Sequence, residues 1–183
     1  MKNIFVKTSK PYQVKIGKGE ISRLAEYIKQ IKKCNKIAVI TDDNVGRLYG
    51  RQICCLLDGL DVCYHEFLHG EDNKSMSTVA DILEFLARNK LTRSDLIIAL
   101  GGGIVGDVAG FVAASFLRGI DFVQVPTTLL SMVDSSVGGK TGVNLSAGKN
   151  LAGAFHQPCL VVCDPDFLST LQMKSIKTDL AKL

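Results

Sequence analysis

The stretch from Asp95 to Phe116, DLIIALGGGIVGDVAGFVAASF, constrains the fold more than any other part of this 183-residue sequence. It begins with a continuous apolar run of strand length, residues 96–100, which is typical of a parallel strand buried on both faces. Three consecutive glycines follow, and small residues then recur at helical spacing. We therefore predict a strand, a tight loop and a helix that packs closely on the sheet.

The glycines of this stretch suggest a ligand for the loop. Gly101, Gly103 and Gly106 fit the pattern G-x-G-x-x-G, in which backbone approaches a pyrophosphate and the following helix turns its N-terminal N–H groups towards the anion. The same pattern also occurs in tight turns that bind nothing. The acidic residue that usually follows about 20 positions later at a strand end is missing, because Asp121 begins its strand. The pattern alone therefore leaves both interpretations open.

Acidic residues do stand at the end of an earlier predicted strand, KIAVITDDN, as Asp42 and Asp43. Carboxylates at such a position accept hydrogen bonds from ribose hydroxyls and repel a 2′-phosphate, so they favour NAD over NADP. A helix N-cap explains the same residues equally well.

Composition excludes several classes of protein. The hydrophobic content of 46% with 22% charged residues is typical of one globular domain, and the net charge of +4 comes without a basic stripe that would indicate nucleic acid. No apolar run approaches the roughly 18 residues of a membrane span, and the N-terminus does not resemble a signal peptide, so we expect a cytosolic protein. The cysteines lack C-x-x-C spacing and are expected to be reduced thiols. They are Cys34, Cys54, Cys55, Cys63, Cys159 and Cys163.

The remaining periodicities predict alternating strands and helices. Together they indicate an α/β fold with a parallel sheet, flanking helices and ligands beyond the carboxyl ends of the strands. The predicted elements are a hairpin over 3–7 and 12–16, helices over 20–33, 45–57 and 75–89, a strand within 60–68, and a strand over 120–125. Ser75 or Ser77 is expected to cap the third of these helices.

Residues 65–69, HEFLH, match the zinc-protease pattern H-E-x-x-H. That chemistry requires a helix, which places both imidazoles on one face. The segment follows Asp58-Gly59, ends at Gly70 and is rich in strand formers, and on a strand the two histidines lie about 13 Å apart. We therefore do not interpret it as a metal site.

Residues 134–158 contain so much Gly, Ser and Asn that we predict a long loop without regular structure. A loop of this length inside a compact domain is usually functional. Lys140, Lys149 and Asn150 lie in it among hydroxyls and backbone N–H groups, which suits a phosphate or a carboxylate. Each lysine alone is equally consistent with a solvated surface charge.

Residues 99–144, ALGGGIVGDVAGFVAASFLRGIDFVQVPTTLLSMVDSSVGGKTGVN, followed by 148–158, GKNLAGAFHQP, closely resemble the 3-dehydroquinate synthase family. A looser resemblance extends from Asp42 to Thr170. The segment SSVGGKTGVN is more similar to this family than to other sugar phosphate cyclases. The implied fold is the N-terminal domain of a dehydroquinate-synthase-like structure, a Rossmann-like parallel sheet with flanking helices, without its helical C-terminal domain.

The resemblance implies an enzyme of the shikimate pathway that converts 3-deoxy-D-arabino-heptulosonate 7-phosphate into 3-dehydroquinate and phosphate. NAD acts there as a catalyst, because the hydride taken from one hydroxyl is returned after phosphate leaves. The family also implies a homodimer and a divalent metal, zinc or cobalt, that polarises the hydroxyl being oxidised.

Site residues follow from the same resemblance. The implied catalytic and substrate residues are Lys140, Asn150, Asp134 and Arg118, the last donated across the dimer. The implied adenosine contacts are Asp42, Asn44, His69, Gly70, Glu71, Asp72, Asn73 and Lys74. The implied pyrophosphate contacts are Gly103, Ile104, Val105, Gly106 and Asp107. The rest of the cofactor site is implied to be Thr127, Thr128, Lys140, Lys149, Phe167, Leu168, Ser169 and Thr170.

The resemblance stops short of the metal site. The family's metal ligands are a glutamate and two histidines of a helical second domain, and Lys182 occupies the glutamate position here. We expect residues 1–172 to form the NAD-binding domain and residues 173–183 to begin a helix at the boundary of a missing domain. The expected behaviour of this polypeptide alone is dinucleotide binding without turnover.

Two other functions remain open at the level of sequence. A polyol or alcohol dehydrogenase has a similar nucleotide domain, although a neutral polyol does not need the cations Arg118, Lys140 and Lys149. A non-catalytic nucleotide-binding module is the second alternative, favoured by the absence of the metal ligands.

Overall fold

The computed structural model describes residues 2–31, 34–171 and 173–181. The strands in these residues are β1 (Lys2–Val6), β2 (Tyr12–Ile16), β3 (Lys36–Asp42), β4 (Asp61–Phe67), β5 (Leu96–Gly101), β6 (Asp121–Pro126), β7 (Lys140–Leu145), β8 (Gly148–Phe155) and β9 (Leu160–Cys163). The α-helices are α1 (Leu24–Ile31), α2 (Asp43–Val45), α3 (Arg51–Leu56), α4 (Met76–Arg88), α5 (Gly103–Ser115) and α6 (Met173–Leu180). Among the described residues, no helix is both long enough and apolar enough to cross a membrane.

Seven of these strands form one sheet in the order β1-β2-β9-β6-β5-β3-β4, and the pairs are parallel except for the β1–β2 hairpin. The predicted parallel α/β sheet is therefore confirmed. Its parallel strands end along a common edge, where Asp42, Gly101, Pro126 and Cys163 are the last strand residues. The segments that follow these residues, and the one that follows Phe67 at the end of β4, contain most of the predicted site.

The core lies on both faces of the sheet, because alternate residues of each strand point to opposite sides. On one face Ile40 and Ala99 pack with α4 and α5, and on the other Val39 and Ile98 pack with α1 and α3. All four side chains are at most 1% exposed. The continuous apolar runs noted in the sequence are thus buried from both sides, as predicted.

The predicted helices are present with shifted ends. The first begins as a 3-10 helix, Glu20–Arg23, and its predicted last residues 32–33 lie outside the described residues. The second begins at Asp43 and is interrupted by a π-helical turn, Gly46–Gly50, that lies against Tyr64 of β4. Ser75 caps α4 by accepting a hydrogen bond from the Thr78 backbone N–H. A helix is present at Met173–Leu180, whereas its role at a domain boundary stays a prediction.

The prediction that residues 134–158 lack regular structure is wrong. They contain β7 and β8, which form an antiparallel hairpin separate from the main sheet. Gly142 and Gly153 let the two backbones approach, since a Cβ on Gly142 would lie 2.6 Å from the Ala152 carbonyl oxygen. Strand β9 was not predicted either, although it joins β2 to β6 and all four of its residues are buried.

Helix α5 lies between the main sheet and the β7–β8 hairpin. A Cβ on Gly106 would lie 2.7 Å from Oε1 of Gln124 on β6, and a Cβ on Gly110 would overlap Cγ2 of Thr141 on β7. Val143 of β7 belongs to the same buried cluster as the helix. Small residues are therefore needed on two faces of α5, because the sheet packs closely against one face and the hairpin against the other.

We expect Gly110→Ala to lower the free energy of unfolding by about 1–2 kcal/mol, as measured by urea denaturation. The added methyl group overlaps Thr141 Cγ2, and this cost exceeds the gain of about 1 kcal/mol that alanine brings to a helix interior.

Thr141→Ser provides the matched control, because it removes Cγ2 and keeps the hydroxyl that donates to the Ala154 carbonyl oxygen at 2.8 Å. The double variant is expected to be at least as stable as T141S alone. Equal destabilisation by G110A in both backgrounds would show that the hairpin does not set the size limit at this position.

Candidate active site

A cleft of about 500 Å³ lies where the start of α5, the π-helical turn Ser131–Ser135 and the β7–β8 hairpin meet. Its size falls within the range of about 300–1,000 Å³ that is usual for small-molecule sites. Asp107, Asp134, Lys140 and Asn150 line it together. Three of the four predicted catalytic residues thus share one cleft with a predicted cofactor residue.

Lys74 contacts two of these residues, Asp107 and Asn150, through its side chain. Its side chain is 7% exposed, and Nζ lies 2.6 Å from Oδ2 of Asp107 and donates to Oδ1 of Asn150 at 2.5 Å. Burial raises the pKa of Asp107, while the hydrogen bond and charge of Lys74 oppose this rise. The family resemblance assigned Lys74 to the adenosine end, and the structure adds its contacts with Asp107 and Asn150, which line the cleft.

The 3-10 helix Glu71–Asn73 precedes Lys74 and contacts the far end of the hairpin. Oε1 of Glu71 accepts a hydrogen bond from Nδ2 of Asn144 at 2.8 Å and lies 3.7 Å from Nζ of Lys149. The hydrogen bond from Asn144 lowers the pKa of Glu71, and the charges of Lys149 and Lys74 reinforce this against the effect of burial. Asn144 was not among the predicted site residues, because its sequence position gives no sign of its partners.

The N-terminus of α5 is open. Its N-cap is Gly102, whose lack of a side chain leaves the first-turn N–H groups without a side-chain cap. Thr128 and Ser135 lie close to this turn, since Cβ atoms on Gly102 and Gly103 would lie 3.1 Å from Thr128 Cγ2 and 3.2 Å from Ser135 Oγ. Such an end suits an anion, and the tight turn predicted from the glycines is confirmed.

At the end of β3, Asp42 caps α2. Its Oδ1 accepts a hydrogen bond from the Val45 backbone N–H at 2.8 Å. Burial raises the pKa of Asp42, although backbone hydrogen bonds from Val45 and Asn44 oppose the rise. The N-cap interpretation is confirmed, and the contact with ribose stays a prediction. Asn44 is exposed beside it and accepts a hydrogen bond from Arg47 at 3.2 Å.

Asp43, directly after β3, forms hydrogen bonds with the loop after β4. Its Oδ1 accepts the backbone N–H of His69 at 2.6 Å and lies 2.9 Å from Nδ1 of the same residue. These hydrogen bonds lower the pKa of Asp43. Gly70 then turns the chain into the loop with φ +106°, a conformation that favours glycine.

Other predicted cofactor residues lie along the same sheet edge and do not line the cleft. The backbone N–H of Thr127 donates to the Gly101 carbonyl oxygen at 2.9 Å. The 3-10 helix Pro165–Thr170 contains the predicted segment 167–170 and packs on Tyr49, whose ring centroid is 4.7 Å from that of Phe167.

Arg118 is exposed and does not line the cleft of its own chain. It lies in a turn in which Leu117, Arg118 and Gly119 all have positive φ, at +50°, +65° and +117°. Non-glycine residues rarely adopt this conformation. Its role across a dimer stays a prediction.

The described residues do not fit a metal centre, because they contain no group of three His, Cys, Asp or Glu side chains that could hold an ion. His65 lies on β4 and packs against Phe85, so the prediction that this segment forms a strand and not a helix is confirmed for residues 61–67. His156 stacks on Phe122 and contacts the Ile120 carbonyl oxygen. Lys182, which the resemblance places at the glutamate position of the family, lies outside the described residues.

A parallel α/β sheet with an uncapped glycine-rich turn at its edge and a polar cleft beside it defines a dinucleotide-binding type of domain. Residues 65–178 match the family described as 3-dehydroquinate synthase N-terminal. The chain belongs to this family, and the resemblance noted in the sequence is confirmed.

Known proteins give the same result. The chain is 48% identical over 169 residues to the 3-dehydroquinate synthase of Streptococcus mutans, a match that covers 91% of the chain and 48% of that enzyme. The chain thus spans about half the length of the curated relatives it matches.

Solved structures of two synthases superpose closely on this chain. A 2-deoxy-scyllo-inosose synthase complexed with carbaglucose-6-phosphate, NAD+ and Co2+ has a TM-score of 0.92 at 28% identity, covering 99% of this chain and 51% of that one. The 2-epi-5-epi-valiolone synthase of Streptomyces hygroscopicus, with NAD+ and Zn2+ bound, has a TM-score of 0.81 at 30% identity, covering 100% and 50%. In both matches the fold of this chain corresponds to about half of the other protein.

Proposed function

We propose that this chain is the NAD-binding half of a 3-dehydroquinate synthase and supplies part of its substrate site. The observation that carries the proposal is the open N-terminus of α5 beside a cleft that contains Lys140 and Asn150. One feature suits the pyrophosphate of a dinucleotide and the other suits the phosphate of a sugar acid. Related cyclases that bind NAD+ support the assignment.

In this proposal the residues of the cleft bind and orient the substrate, 3-deoxy-D-arabino-heptulosonate 7-phosphate. Lys140 supplies a positive charge and Asn150 an amide donor to the phosphate, and Asp134 accepts a hydrogen bond from a substrate hydroxyl. When bound, NAD supplies the reversible removal and return of a hydride at one hydroxyl. Lys74 and Asp107 orient Asn150 and the start of α5 beside it.

The cofactor contacts of the proposal follow the sheet edge. The first-turn N–H groups of α5 bind the pyrophosphate, Asp42 and the loop 69–74 hold the adenosine end, and Thr127, Thr128, Lys149 and residues 167–170 complete the site. Arg118 acts on the substrate phosphate of a second copy in a homodimer. The proposal gives the described residues no role in metal binding, because they contain no group of side chains that could hold an ion. We place the protein in the cytosol, where its six free cysteines stay reduced.

Calorimetric titration with NAD and, separately, with NADP tests the proposal on the 183-residue chain. We expect NAD to bind and NADP to bind at least about tenfold more weakly, because the Asp42 carboxylate repels a 2′-phosphate.

Asp42→Asn is the matched control, since its amide oxygen keeps the cap on Val45 while the charge is removed. The preference for NAD is expected to fall to about threefold or less in D42N. If neither dinucleotide binds to a sample that shows cooperative thermal unfolding, the proposal is wrong. Equal binding of NAD and NADP by the wild-type chain would contradict the role of Asp42.

A further inference from the structure

The β7–β8 hairpin is irregular at its far end. Between the pair Val143–Ala152 and the pair Leu145–Gly148 the register shifts, so that the single residue Asn144 faces three residues of β8. Such a bulge leaves backbone groups outside the regular ladder of hydrogen bonds. These groups need other partners if they are not to lose stability.

Asn144 takes part in three hydrogen bonds in this irregular region. Its side-chain oxygen accepts the backbone N–H of Asn150 at 2.9 Å, and its Nδ2 donates to Oε1 of Glu71 at 2.8 Å. Its own backbone N–H donates to the Lys74 carbonyl oxygen at 2.8 Å instead of to β8. Asn144 thus connects the loop after β4 to the backbone of β8.

Asn150, the residue held by this link, has an unusual conformation. Its φ is +56°, in the left-handed region that few residues other than glycine adopt, although asparagine does so more readily than most. Lys74 engages Oδ1 of its side chain at 2.5 Å. Because Oδ1 already accepts from an ammonium, Nδ2 is the group of Asn150 that is suited to donate to an anion in the cleft.

We propose that Asn144 is a positioning residue for the substrate phosphate: it holds Asn150 in the left-handed conformation that presents the amide donor of this side chain to the cleft. Asn144 does not line the cleft and acts through Asn150. The inference rests on the proposed function, since it takes the cleft to be the phosphate site. Lys74 fixes the side chain of Asn150, whereas Asn144 fixes its backbone.

Inorganic phosphate is the probe, titrated into the chain while amide signals are followed by NMR. We expect Asn144→Ala to weaken phosphate binding about tenfold and Asn150→Ala to weaken it by at least as much, as expected for loss of a hydrogen bond to a charged group. The double variant N144A/N150A is expected to bind phosphate as N150A does, because Asn144 contributes only through Asn150. A purely structural role would instead make the two effects additive.

Ser146→Ala, in the exposed turn between the strands, serves as the control and is expected to leave phosphate binding unchanged. If N144A does not fold, the pair Asn144→Asp and Glu71→Gln replaces it, since aspartate keeps an oxygen for the Asn150 amide and glutamine removes the carboxylate that would otherwise face it. That amide is then expected to stay protected from hydrogen exchange, and loss of protection would contradict the inference.

Three results would overturn the inference: unchanged phosphate binding in N144A, additive effects in the double variant, or no phosphate binding by a wild-type chain that binds NAD. Failure to bind NAD as well would refute the proposed function itself.

Discussion

Lys74→Met is expected to lower the free energy of unfolding by about 3 kcal/mol, the lower end of the range for removing one partner of a buried ion pair. Asp107 loses its counter-charge at 2.6 Å while its own side chain is 23% exposed, so some hydration limits the cost. The loss corresponds to a fall in melting temperature of about 6–12 °C for a domain of this size. Thermal and urea unfolding followed by circular dichroism measure it.

The pH dependence of this loss identifies its cause. Without Lys74 the folded-state pKa of Asp107, already raised by burial, rises further above the ordinary value of 3.8. The folded state of K74M therefore binds more protons than the unfolded state, and its stability falls relative to wild type as pH rises above that value. We expect a smaller difference at about pH 5 than at about pH 8.

Asp107→Asn in the K74M background is the matched control, because it removes the charge that the first substitution leaves unpaired. The double variant is expected to recover about half of the lost stability. The difference in stability between the double variant and wild type is expected to be the same at both pH values. For K74M alone, a difference from wild type that is the same at both pH values, or no recovery in the double variant, would indicate that Lys74 stabilises the fold by packing alone.

Sequence patterns predicted the parts of the fold that depend on local periodicity. The apolar run 96–100, the glycines after it and the capping serine Ser75 all describe interactions within a few residues, and the structure has them where they were predicted. The close match to one family then located Asp134, Lys140 and Asn150, which do share a cleft. Their roles stay predictions.

The features that were missed depend on contacts between distant residues. Glycine is rare in strands, so the glycine content of residues 134–158 predicted a loop. In the structure Gly142 and Gly153 are what lets β7 and β8 pair so closely beside α5. Likewise, Lys74 lies far from Asp107 in the sequence, and no local pattern indicates that the two form an ion pair.

At the opposite edge of the sheet from the site, Asp95 connects the beginnings of β3 and β5. It is 2% exposed, and Oδ1 accepts the Lys36 backbone N–H at 2.9 Å. Oδ2 accepts the backbone N–H of Thr92 at 2.6 Å and its hydroxyl at 2.8 Å. Burial alone would raise the pKa of Asp95, but the hydrogen bonds from Thr92 and Lys36 outweigh it and hold the pKa below its ordinary value.

We expect Asp95→Ala to lower the free energy of unfolding by about 3 kcal/mol, because it removes a buried charged acceptor and the hydrogen bonds that it receives from Lys36 and Thr92. Since the folded-state pKa is lowered, this contribution is fully present above the ordinary value of 3.8 and is lost as pH falls through the folded-state pKa. Urea denaturation at neutral and acidic pH measures both effects.

Asp81→Ala, at an exposed position of α4, is the control and is expected to change stability by less than about 0.5 kcal/mol. A loss in D95A no larger than in D81A would contradict the role of Asp95. NAD binding by the folded D95A chain is expected to match wild type, because the cofactor residues lie at the other edge of the sheet.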